Sequence, residues 1–132
     1  MLLVADSSFL YSLIDGNSKA TEYWGKAKAE GSRIFVPTTS ITFFVSKCFR
    51  EGRGEYVDLM LAVLRQTLNV SIIVCDVGVA IDAGRILNNL GTGLEEAFVL
   101  AVASLKKAEG VLTLLKDNYA KAIQEGLIST LP

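Results

Sequence analysis

The sequence predicts a three-layer α/β/α fold around a short, mainly parallel sheet. Two observations predict it. Short apolar, β-branched runs recur along the chain, namely LLVA, RIFV, SIIVC and VLTLL. Helical stretches separate each of these runs from the next. Strands that are apolar throughout are buried on both faces, as in parallel sheets covered by helices.

Residues 2–5 (LLVA) read as the first strand, and 7–14 (SSFLYSLI) as a short helix stopped by Asp15-Gly16. An amphipathic helix follows over 18–30, with Gly31 as its C-cap signal. RIFV (33–36) is the second strand, closed by Pro37. Residues 38–52 start β-branched, yet Ile41, Phe44, Val45 and Cys48 fall on one face at helical spacing, so a helix is expected. A clearer helix spans 54–68, and SIIVC (71–75) is the third strand. Helices are expected over 76–91 and 93–110, the second with a long apolar middle. VLTLL (111–115) is a fourth strand, DNYAKAIQEG (117–126) a last short helix, and LISTL (127–131) a fifth strand.

With 132 residues, the chain is long enough for a real core and is expected to form one domain over 1–132. Half of it is hydrophobic, but no apolar run reaches the roughly 18 residues of a membrane span. The opening MLLVADSS lacks the basic segment of a secretory signal, so a cytoplasmic location is expected. A net charge of −1 offers no overall basic field for nucleic acid. Histidine is absent, which excludes imidazole catalysis and His-ligated zinc. Cys48 and Cys75 stand alone in apolar contexts and read as buried thiols. Carboxylates, hydroxyls, Lys and Arg remain for chemistry, a set that suits magnesium or manganese.

The carboxylates at strand ends carry the functional question, because ligands gather outside the carboxyl ends of parallel strands. Asp6 follows the first strand directly. It can cap the next helix, but Ser7 and Ser8 can do so too, which leaves the acid open to a metal role. Thr92 to Glu95 fits a capping box, with Glu95 reaching back. Glu96 has no such job and precedes AFVLAVA, so it is the better candidate for function. Asp117 is either a helix cap or an auxiliary ligand, and Thr113, inside the fourth strand, can aim its hydroxyl at the same edge. Asp76 reads as a cap, and Asp82 and Glu55 as solvated positions.

Taken in order, LLVADSSFLYSLI, RIFVPTTSITFF and LEEAFVLAVASLKKAEGVLTLLKDNY resemble the PIN-domain ribonucleases, a family that includes the VapC-type toxins. The resemblance spans essentially the whole chain. It implies Mg2+ or Mn2+ held by three or four acids at the sheet's carboxyl edge, activating water against a phosphate. Asp6 matches the first acid, and Glu96 the third, where aspartate is usual. Phe43 stands where the second acid is expected and Leu115 where the fourth is. Asp117 substitutes for the fourth only if its loop bends back, and Thr113 matches the family threonine. The implied function is a metal-dependent endoribonuclease acting on single-stranded or structured RNA. The alternative is a silent PIN-like module that binds a protein or RNA. Lys47, Arg50, Arg53 and Lys116 are the candidate phosphate contacts, though an ordinary solvated face is the favoured explanation. An antitoxin-like protein partner and a homodimer are further implications of the resemblance, and no membrane association is expected.

Overall fold

Successive side chains of a strand point to opposite faces, and here that alternation sorts the apolar residues into two cores. The computed structural model describes residues 1–131, the last two by backbone alone. Strands β1 (Leu2–Ala5), β2 (Arg33–Pro37), β3 (Val70–Ile73), β4 (Gly110–Leu112) and β5 (Ser129–Leu131) form one sheet in the order β3-β2-β1-β4-β5. Every neighbouring pair is parallel, with Leu3 beside Ile34 and Val4 beside Val111 in register. The helices are α1 (Ser7–Ile14), α2 (Ser18–Ala29), α3 (Thr38–Arg50), α4 (Glu55–Gln66), α5 (Val77–Leu90), α6 (Leu94–Lys106) and α7 (Ala120–Gln124). The expected α/β/α fold with a parallel sheet is therefore observed.

Leu3, Ala5, Ile34, Val36 and Leu112 pack with Phe9, Leu10, Trp24, Phe44 and Met60, that is, against α1 to α4. Val4, Phe35 and Val111 pack with Val79, Val99, Val102 and Tyr119, that is, against α5, α6 and the turn before α7. Asp6 continues the alternation. Its backbone is extended and its N–H donates to the Leu112 carbonyl at 3.1 Å. Parity therefore sends its side chain to the Val4 side, toward α6 and Tyr119.

Local signals set the helix starts. Asp6, Asn17 and Asp76 each accept a backbone N–H at the head of α1, α2 and α5, which are the expected cap chemistries. Helix α3 forms despite its β-branched start because Ser40, Phe44 and Cys48 share one buried stripe. Most predicted ends shift by one or two residues, the usual range for helix termini. Four differences are larger or matter more. Strand β4 stops at Leu112, so Thr113 lies just past the strand and not within it. Helix α6 begins with Gly93, not Thr92, as its N-cap and ends early, where Lys107 adopts a left-handed φ of 54°. The last helix is split into a 3-10 turn, Lys116–Tyr119, followed by the short α7. Cys48 is buried as expected, but Cys75 is only half-buried. No helix among the described residues is long and apolar enough to cross a membrane.

Candidate functional site

Asp6 is 3% exposed at the carboxyl end of the central strand. A buried carboxylate must be hydrogen-bonded to persist as a charge. Its Oδ1 accepts the Ser8 hydroxyl at 2.6 Å and the Phe9 N–H at 3.1 Å. Its Oδ2 accepts the Tyr119 hydroxyl at 2.8 Å. The serines read as alternative caps therefore serve as donors to acids instead. Ser8 also ties in the next strand, since its hydroxyl accepts the Leu114 N–H at 3.0 Å and lies 3.2 Å from the Thr113 hydroxyl. Thr113 is fully buried and its Oγ1 accepts the Leu115 N–H at 2.9 Å, which pins the turn after β4.

The two glutamates of α6 point in different directions. With the N-cap at Gly93, Glu95 points toward Ser7. Its Oε2 accepts the Ser7 N–H at 2.7 Å and its Oε1 the Ser7 hydroxyl at 2.6 Å. Glu96 folds back over the helix start, where its carboxylate occupies the space that a Cβ at position 93 would take. Its Oε1 accepts the Asn118 side-chain amide at 3.1 Å. The capping-box reading of Thr92 and Glu95 is thus corrected: the helix starts one residue later.

Burial pushes the Glu95 carboxyl up from the ordinary 4.5 to about 6; hydrogen bonds from Ser7 oppose the rise and the nearby charge of Asp6 adds to it. The fully buried Ser40 hydroxyl faces the same carboxylate and also holds it down, but its geometry falls short of a full hydrogen bond. A carboxyl whose folded pKa is raised binds its proton more tightly when folded, so stability falls as pH rises from about 4.5 through 6. Between those limits wild type is expected to lose about 1–2 kcal/mol more than Glu95→Gln. Urea unfolding of both proteins at pH values on either side of the window checks this, and parallel pH profiles would refute it.

The other candidates are not gathered at this edge. Asp117 is exposed in the 3-10 turn, and Leu115 is 52% exposed. Phe43 is 36% exposed on α3, one turn beyond Ser40. The Lys47 ammonium sits 4.5 Å over the Tyr11 ring. Arg53 donates to the Tyr56 hydroxyl at 2.9 Å, which in turn donates to Asp15 at 2.9 Å. Arg50 and Lys116 are exposed.

The residues present do not fit a divalent metal. All four carboxylate oxygens of Asp6 and Glu95 already accept a protein donor. Magnesium demands near-octahedral oxygen ligation, bound through one or two carboxylates with waters completing the shell. Among the described residues no three of His, Cys, Asp and Glu stand close enough together to hold an ion. What the edge can do chemically is hold a proton on Glu95 and lock Asp6 in place. Sequence reasoning missed Tyr119, Ser7, Ser40 and Asn118. Strand parity is the one signal that could have placed Asp6 toward the side where Tyr119 packs.

This sheet order, with an acid at the end of its central strand, is the PIN-like α/β/α fold of the VapC-type proteins. VapC20 of Mycobacterium tuberculosis, described as a sarcin–ricin loop cleaving toxin, superposes with a TM-score of 0.76 at 14% identity, over 89% of this chain and 93% of its own. VapBC2 of Rickettsia felis, solved on a DNA fragment from its promoter, gives 0.72 at 12% identity over 98% and 97%. A toxin–antitoxin complex from Klebsiella pneumoniae gives 0.67 at 16% identity over 89% and 90%. No protein-family model matches the chain, and no curated protein does.

Proposed function

We propose that this chain is a PIN-fold module that acts by binding a protein partner, in the manner of a toxin–antitoxin pair, and not by metal-dependent cutting of RNA. One observation carries this reading. The acid edge is closed on itself, with Asp6 held by Tyr119, Ser8 and the Phe9 N–H. Phe43 and Leu115 supply no further acid. Support for a protein partner comes from the similar structures, several of which are toxin–antitoxin complexes.

A second reading, a Mg2+- or Mn2+-dependent endoribonuclease, is favoured by the convergence of Asp6 and Glu95 at the sheet's carboxyl edge. The two readings separate in one assay. Wild type and Asp6→Asn are incubated with a single-stranded RNA pool and with a sarcin–ricin loop hairpin, in Mn2+, in Mg2+ and in chelator. The expected result is no metal-dependent cleavage by wild type. Cleavage that needs metal and vanishes in a folded Asp6→Asn protein would overturn the proposal in favour of the nuclease.

A further inference from the structure

The turn after β4 brings a residue to the acid edge, and that residue is not an acid. Leu115 faces solvent, and the 3-10 turn that follows carries the Tyr119 ring inward. Tyr119 is fully buried and is the largest of the fully buried side chains. Its ring belongs to the core against α6, while its hydroxyl donates to Asp6 Oδ2 at 2.8 Å. The charges of Asp6, Glu95 and Glu96 all act on that hydroxyl.

We propose that the Tyr119 hydroxyl stands where this fold would otherwise place a cation, satisfying Asp6 with a permanent internal donor and shutting the acid edge to divalent metal. The inference rests on the non-catalytic reading above. A phenol suits the place for three reasons. Its O–H supplies one directed bond to a carboxylate. Its ring fills the apolar space beneath, which a hydrated ion cannot. It stays protonated, because burial, then the Asp6 charge and hydrogen bond, and the charges of Glu95 and Glu96 all raise its pKa.

Tyr119→Phe keeps the ring and deletes only the hydroxyl, freeing Asp6 Oδ2 near Glu95. Thermal unfolding and calorimetric titration with Mn2+ alone, against chelator, test the proposal on wild type and on this variant. Wild type is expected to melt at the same temperature in Mn2+ and in chelator. Tyr119→Phe is expected to melt about 4 °C or more higher in Mn2+ than in chelator, as ligand binding to the folded state requires. If neither protein responds to Mn2+, the role given to Tyr119 is wrong while the non-catalytic reading stands. If wild type itself binds Mn2+, both fall. Should Tyr119→Phe not fold, wild type alone decides by NMR. A slowly exchanging Tyr119 hydroxyl proton that is unmoved by Mg2+ supports the proposal, and its loss on adding Mg2+ overturns it.

Discussion

Asp6→Ala is expected to cost about 3 kcal/mol of stability. The side chain caps α1, worth about 1 kcal/mol, and accepts charge-assisted hydrogen bonds worth about 1.5–3 kcal/mol. Removing it strands the buried Tyr119 hydroxyl and one donor role of Ser8. Relief of repulsion with Glu95 returns part of that loss, which is why the expected total is nearer the lower sum. Asp6→Asn keeps an oxygen for the Phe9 N–H and should cost about 1 kcal/mol, in line with loss of charge assistance alone. Urea unfolding near neutral pH measures both. A variant at Asp6 more stable than wild type would mean that the acid is held at a cost for chemistry, which would argue for the nuclease reading.

Phe9→Ala should be the most damaging single core change, at about 3–5 kcal/mol. Phe9 is fully buried, its ring centroid lies 6.4 Å from that of Trp24, and its N–H is one of the donors to Asp6. The same residue thus packs the α1–α4 core and anchors the acid edge. Phe9→Leu retains most of the volume and should cost about 1 kcal/mol. The midpoints of urea denaturation rank the two variants. A loss below about 1 kcal/mol for alanine would show that α1 can collapse into the space, and that the acid edge does not depend on this packing.

The fold was legible where local rules act alone. β1 and α1 fall on the predicted residues because an apolar run, an Asx cap and an Asp-Gly stop lie side by side in sequence. The fifth strand, expected within LISTL, is present at Ser129–Leu131. The acid edge was legible only in part, and helix phase is the reason. The start of α6 lies at Gly93 and not Thr92, so Glu96 takes the position expected of Glu95 at the helix head while Glu95, about 100° round the helix, reaches Ser7. The tie between Asp6 and Tyr119 spans 113 residues and leaves no periodic trace. Thr113 was placed inside a strand that stops at Leu112, since three-residue ladders carry too little pattern to mark their ends.

The strand order has a consequence for synthesis. β1 is made first and sits at the centre, but its neighbour β4 begins at Gly110. A nascent chain can assemble only the β3-β2-β1 half of the sheet, leaving one edge of β1 open and Asp6 without its tyrosine. At about 5–20 residues per second that interval lasts on the order of ten seconds. Throughout it, the most apolar strand of the protein presents unpaired backbone to its surroundings, the condition under which edges recruit other chains. The arrival of β4 therefore closes that open edge and ends the exposure.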